Sequence, residues 1–161
     1  MPNSEDDLDD DAEYEDEVED EELSAEEQAK IDAFLSGIAA FEKAESQMLV
    51  LIREFAELSK KKPDGAINKF KLKYLNQIIG VLNDHLKDNK PFEDFTLFDE
   101  DAIPSNSDVK MMLSQYASQT LAFRVKNTRA DSNRNNYYWI VDGEQMAKTV
   151  EPRERNAKLY T

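Results

Sequence analysis

The sequence predicts a mainly α fold: a long antiparallel helical hairpin and a third helix, followed by a small C-terminal β-hairpin. Large apolar residues recur at spacings of three and four over long stretches, which is the repeat of a helix packed along one face. Only four glycines and five prolines occur among the 161 residues, whereas a turn-rich all-β fold needs many tight turns. The acidic residues are concentrated at the N-terminus, which predicts a disordered tail in front of the helices.

The first predicted helix spans residues 24–59. Ser24 and Glu27 have the spacing of a capping box, in which each side chain bonds the backbone amide of the other residue. An a/d seam with alternating spacings of three and four follows, formed by Ile31, Phe34, Ile38, Phe41, Glu45, Met48, Ile52, Phe55 and Ser59. The charge of Glu45 indicates either a polar pair that sets the register or a bend. The ordinary interpretation of the seam is intramolecular core. A helix of roughly 54 Å is longer than a small domain requires, so a homo-oligomer through this helix is the alternative.

A turn around Pro63 separates this helix from the second, which is predicted over residues 66–87. Its inner positions again follow the spacing of three and four, at Leu72, Leu75, Ile79, Leu82 and Leu86. Residues 88–106 form a long connection rich in large apolar groups, which are seldom left in water. We therefore expect this connection to pack over the hairpin as a strap.

Ser105 and its polar neighbours cap a third helix, predicted over residues 108–127, which completes a helical domain of residues 24–127. Residues 128–136 are polar and predict a loop. The aromatic run from Tyr137 and the following Asp-Gly pair predict a β-hairpin over residues 137–150. The C-terminal region, 128–161, is thus expected to hold a loop, this hairpin and a frayed end.

The net charge is confined to the N-terminal segment. The formal net charge is −15, and 16 of the 35 acidic residues lie between Glu5 and Glu27, before the first base. The rest of the chain carries 19 acids against 20 bases. Self-repulsion and a shortage of apolar residues predict that residues 1–23 are a disordered acidic tail. Such a tail is either a solubilising spacer or a ligand for a basic surface, with Tyr14 and Val18 as anchors that fold on contact.

Several classes of chemistry lack their usual sequence signals. The chain has no cysteine, and its single histidine, His85, is expected at the surface of a polar helix end. No glycine-rich phosphate loop, Gly-flanked serine or histidine pair occurs, and the acidic residues of the strap lack the spacing of a helix-loop-helix calcium site. We therefore expect no catalytic, cofactor or metal site, and a protein that is not an enzyme. The absence of a signal segment and of ~18 consecutive apolar residues predicts a cytoplasmic protein without a membrane partner.

The function expected from these features is a non-catalytic protein-interaction or adaptor module. Its acidic tail and its aromatic strap, with Phe92, Phe95 and Phe98, would bind a protein partner with a basic surface. A helical assembly or scaffolding protein is an alternative, as is a nucleic-acid-binding protein inhibited by its own tail. The basic patch of that last alternative comprises Lys60, Lys61, Lys62, Lys69, Lys71, Lys73, Arg129, Arg134 and the stacking platform Trp139.

Overall fold

A computed structural model describes residues 23–152 of the chain. The helices are α1 (Ala25–Lys61), α2 (Lys69–Leu86) and α3 (Asn106–Asn127), with a short 3-10 turn, Lys87–Asn89, after α2. The strands β1 (Thr128–Ala130), β2 (Tyr137–Val141) and β3 (Glu144–Thr149) form an antiparallel sheet in the order β1-β2-β3. The predicted mainly α fold is confirmed. The predicted acidic tail lies outside the described residues up to position 22, as does the C-terminal end from position 153.

The ends of the helices are fixed by local hydrogen bonds. The predicted capping box of α1 is confirmed, since the Glu27 amide donates to Ser24 Oγ at 3.3 Å and the Ser24 amide donates to Glu27 Oε2 at 3.0 Å. At the other end of α1, the Asn106 side chain donates to the Lys62 carbonyl at 2.9 Å, and the Asn106 amide donates to the Gly65 carbonyl at 2.8 Å. These two bonds hold the α1–α2 turn against the first turn of α3.

The seam of α1 forms the core of this chain. Phe41 and Met48 are 0% exposed, and Ile38, Ile52 and Phe55 are buried with them. α2 and α3 both pack along this face, and all five predicted inner leucine and isoleucine positions of α2 are buried in the same cluster. The interpretation as intramolecular core is therefore confirmed from Ile38 to Phe55, and this part of the seam is not free to pair with another copy.

Glu45 forms a buried ion pair, so its place in the seam is explained by a polar pair and not by a bend. Arg124 of α3 donates to Glu45 Oε2 from Nε and from Nη2, both at 2.6 Å. Its Nη1 donates to Thr149 Oγ1 at 2.7 Å, and its guanidinium lies 5.2 Å from the ring centre of Trp139. Glu42 accepts from the Trp139 indole at 2.9 Å and from Thr149 at 2.5 Å. This ion-pair cluster joins α1 and α3 to the sheet and so fixes the position of the sheet on the helices.

One strand was not predicted. Residues 128–136 are not entirely loop, because β1 continues directly from α3 and pairs with β2, placing Thr128 opposite Trp139. Thr128 is buried, and its hydroxyl donates to the Arg124 carbonyl at 2.7 Å. A three-residue strand is too short to show an alternating apolar pattern. The predicted β2–β3 hairpin is confirmed, and Asp142 and Gly143 both have the positive φ that its two-residue turn requires.

Candidate functional site

The strap, residues 88–106, packs its inner side against the helices. Phe95 and Phe98 are half-buried, and their ring centres lie 5.0 Å apart. The Phe95 ring also lies 6.2 Å from the buried ring of Tyr116 in α3. Two of the three strap aromatics that the sequence suggested as partner contacts therefore face inward and pack on the core.

Two asparagines of α2 hold the backbone of the strap. Asn76 Nδ2 donates to the Phe98 carbonyl at 2.9 Å, and the Phe98 amide donates to Asn76 Oδ1 at 3.0 Å. Seven residues further along α2, Asn83 Nδ2 donates to the Thr96 carbonyl at 2.7 Å. Asn83 is itself oriented by the Tyr116 hydroxyl, which donates to its Oδ1 at 2.6 Å. The carboxamide of Asn76 thus pairs with the strap as a neighbouring strand would, through one donor and one acceptor.

These two asparagines were not predicted as contact residues, although the sequence carries a signal for them. Asn76 and Asn83 stand at spacings of three and four from Leu72, Ile79 and Leu86, so they share the buried face of α2 with these residues. A polar residue on such a face needs a hydrogen-bond partner. The length of the strap and its lack of regular structure leave its backbone in need of partners as well.

The outer face of the strap combines apolar and acidic side chains. Phe92 is 40% exposed, Leu97 45% and Ile103 37%. Five exposed carboxylates lie between these residues along the strap, those of Glu93, Asp94, Asp99, Glu100 and Asp101. None of these carboxylates forms an ion pair with a basic side chain within residues 23–152. The strap therefore presents exposed apolar groups inside a region of uncompensated negative charge.

The predicted basic patch does not form one surface. Lys60 to Lys62 and Lys69 to Lys73 lie where α1 ends and α2 begins, whereas Arg129 follows α3 at the sheet. Arg124, close before Arg129 in the chain, pairs with Glu42 and Glu45 of α1, whereas Asn106, at the other end of α3, contacts Lys62 at the end of α1. The two basic groups are therefore separated by ~28 Å along α1. Arg134 lies on the β1–β2 turn, on the side of the sheet group.

Individual members of this patch also have other partners. Lys71 pairs with Glu54, Lys60 pairs with Glu57 at 2.9 Å, and Arg129 donates to the Thr128 carbonyl at 2.7 Å. Trp139 would be a stacking platform only in the nucleic-acid alternative, but it is 1% exposed and its ring packs edge-on against Phe41 of α1, so it anchors the hairpin to the helices. It presents no ring face to a nucleic acid base.

His85 was expected at the surface, but it is partly buried. It is half-buried between α2 and α1, with its ring centre 5.4 Å from that of Phe41 and its Nδ1 2.9 Å from the Val81 carbonyl. A Cβ on Gly37 would meet His85 Nε2 at 3.5 Å, so the small residue of α1 faces the imidazole across the helix interface. Within residues 23–152, no three histidine, cysteine, aspartate or glutamate side chains are grouped so that they could hold a metal ion.

Burial of Tyr116 predicts a loss of stability in alkali. Desolvation raises the pKa of its phenol to about 12. The unfolded chain releases this proton near pH 10 and the native protein only near pH 12, so in this range the unfolded state binds fewer protons. The free energy of unfolding is therefore expected to fall between pH 10 and pH 12, by about 1 to 3 kcal/mol for this group.

Urea titrations at pH 9 and pH 11.5 measure this loss, and the Tyr116→Phe variant is the comparison. The variant lacks the ionising group, so it is expected to lose less stability than the wild type over the same interval. An equal loss in both proteins would assign the alkaline sensitivity to other groups.

The tail anchors Tyr14 and Val18 lie outside the described residues.

No helix within residues 23–152 is both long enough and apolar enough to span a membrane. Comparison with protein-family models, curated proteins and solved structures finds no match to this chain.

Proposed function

We propose that this protein is a non-catalytic protein-binding module, and that the outer face of the strap and the acidic segment before α1 together bind a partner with a basic, partly apolar surface. The observation that carries the proposal is the two-sided packing of the strap. Phe95 and Phe98 pack on the core, whereas Phe92, Leu97 and Ile103 remain exposed between acidic residues.

The strap is pre-ordered for binding. Its backbone is bonded to Asn76 and Asn83, so the outer side chains are presented from a fixed segment. A partner that binds such a segment does not have to order it first, and that saves conformational entropy on association. An irregular segment held in this way is typical of interaction loops on a rigid scaffold.

The chemistry of the strap indicates the chemistry of its partner. Exposed phenylalanine and leucine side chains are suited to apolar pockets, and buried aromatic anchors contribute much of the affinity at protein interfaces. The surrounding carboxylates favour a partner with lysine and arginine around those pockets, and they raise the rate of encounter. The acids between Glu5 and Glu27 carry the same sign of charge, so both elements favour the same kind of surface.

Replacing Phe92 with alanine is expected to weaken partner binding by about tenfold or more. The immobilised full chain captures candidates at low salt, and each is then purified and titrated calorimetrically against the wild type and its variants. The double variant Asp99→Asn, Glu100→Gln is expected to bind more weakly at low salt and to show a shallower salt dependence, because it removes screened attraction.

Met111→Ala is the matched control for Phe92→Ala, because Met111 is likewise an exposed large apolar residue, at 50%, but belongs to α3 and not to the strap. Its affinity is expected to equal that of the wild type. A captured protein whose affinity and salt dependence are the same for the wild type and for both strap variants would contradict the proposed role of the strap.

A further inference from the structure

A second exposed apolar surface lies between α1 and α2. This α1–α2 groove, with a volume of ≈ 440 Å³, is lined by Ala40, Lys43, Ala44, Gln47, Tyr74, Gln77, Ile78 and Val81. Near the Tyr74 end, the rings of Phe70 and Tyr74 meet edge to face with their centres 4.9 Å apart. Phe70 is 70% exposed and Tyr74 47%, so neither ring is covered within residues 23–152.

The charge of the groove is opposite to that of the strap. Lys43 is the only charged residue in its lining, and Lys69 and Lys73 are exposed beside the ring pair on α2. None of these three lysines has an acidic partner within residues 23–152. An apolar floor flanked by unpaired cations is complementary to a segment that combines acidic residues with a few apolar ones.

The chain contains such a segment at a suitable distance. Between Glu5 and Leu23 its acidic residues are interrupted by a few large apolar ones, which include Tyr14 and Val18. From Ala25, the groove residues Ala40 and Gln47 lie ~23 Å and ~33 Å along α1. Leu23 is the first described residue, and from there an extended chain reaches ~30 Å back to Tyr14 and ~50 Å back to Leu8. Tyr14 can therefore reach the Ala40 end of the groove, and Leu8 can reach the Gln47 end.

We propose that the α1–α2 groove binds this chain's own acidic segment, with the Tyr14 ring near Ala40 and Leu8 near Tyr74. The tether favours this occupant over a separate molecule, since a short linker raises the effective concentration to about the millimolar range. A partner that binds the acidic segment has to displace it from the groove. That competition, though not the docking itself, rests on the proposed function.

A spin label on the acidic segment tests the docking in the full chain. Because the chain has no cysteine, Asp11→Cys provides a single attachment site between the two anchors. We expect the label to broaden the backbone amide signals of Lys43, Gln47 and Gln77 severalfold more than those of Gln115 and Ser118, which are on α3. Rising salt is expected to reduce this broadening, since the lysines contribute screened attraction.

Lys43→Glu in the labelled protein is expected to remove most of the broadening at the groove, because it reverses the charge of the lining. Lys126→Glu is the matched control, since Lys126 is likewise exposed but lies near the end of α3; its broadening is expected to equal that of the parent protein. Equal broadening in both charge variants, or none at the groove in the parent protein, would overturn the proposal.

A mixture of isotope-labelled protein without the spin label and spin-labelled protein without isotope distinguishes the intramolecular occupant from a second copy. Intramolecular docking predicts no groove broadening in this mixture, and broadening as strong as in the single species would overturn it. These samples contain no partner, so failure of the docking proposal does not bear on the proposed binding by the strap. The calorimetric titrations of the strap variants test that binding separately.

Discussion

The Arg124→Met variant is expected to have a free energy of unfolding that is lower by about 3 to 5 kcal/mol. Arg124 is 6% exposed and supplies the cation for Glu45, which is 9% exposed, and for Glu42 at 3.6 Å. Without the guanidinium, the Glu45 carboxylate remains buried with no cation, whereas Glu42 is 35% exposed and still accepts from Trp139 and Thr149. A charge buried without its partner is strongly destabilising, and the loss of the bond to Thr149 adds to the effect.

Urea denaturation followed by far-ultraviolet circular dichroism measures this loss. Arg53→Met is the matched control, because Arg53 is exposed on α1, and its stability is expected within about 0.5 kcal/mol of the wild type. The double variant Glu45→Met, Arg124→Met is expected to regain much of the loss, because it removes the stranded charge of Glu45. A single Arg124→Met variant as stable as the Arg53→Met control would contradict the role assigned to the ion-pair cluster.

The Asn76→Ala variant is expected to lose about 2 to 4 kcal/mol and to release the strap locally. The substitution removes both hydrogen bonds to Phe98 and leaves its amide and carbonyl without their partner. The measurement is hydrogen exchange of the Phe98 amide, which is expected to become faster in the variant, together with urea denaturation.

Gln77→Ala is the control for this second variant, because Gln77 is the exposed neighbour of Asn76 on α2. Its Phe98 amide is expected to exchange as slowly as that of the wild type. If Asn76→Ala left the exchange of the Phe98 amide unchanged, the strap would be held by its inner aromatics alone and the asparagine contacts would be dispensable.

Local sequence patterns were sufficient to predict the helices. The capping box at Ser24 and the spacing of three and four in α1 and α2 depend on residues close together in the chain, and the structure has the corresponding helices. The first turn of α2 is an exception. The helix begins at Lys69 rather than near position 66, because the Asn68 side chain caps it and Ala66 instead bridges to Ser105.

The contacts that build the candidate site are distant in the chain, and the patterns did not predict them. Glu45 and Arg124 are 79 positions apart, and Asn76 bonds a residue 22 positions away. A seam glutamate indicates that a partner is needed, but its spacing does not identify which arginine supplies it. For the same reason the aromatic run of β2 was compatible with a stacking platform or with an anchor on the helices, since nothing in its neighbouring sequence shows that Glu42 and Phe41 enclose Trp139.

The two faces of the molecule carry opposite chemistry, and this contrast links the two proposals. The strap presents apolar groups among carboxylates, whereas the α1–α2 groove presents apolar groups beside lysines. An acidic segment is attracted to the groove and repelled by the strap, and a basic partner is attracted to both the strap and the acidic segment. Partner binding and release of the acidic segment from the groove are therefore expected to occur together.

The most direct test of the central claim is an amide chemical-shift titration of the isotope-labelled full chain with a purified partner. The proposed role of the strap predicts the largest shifts around its outer residues Phe92, Leu97 and Ile103, with little change at Gln115 and Ser118 on the outer side of α3. Shifts confined to α3 or to the sheet, with the strap amides unchanged at saturation, would contradict it.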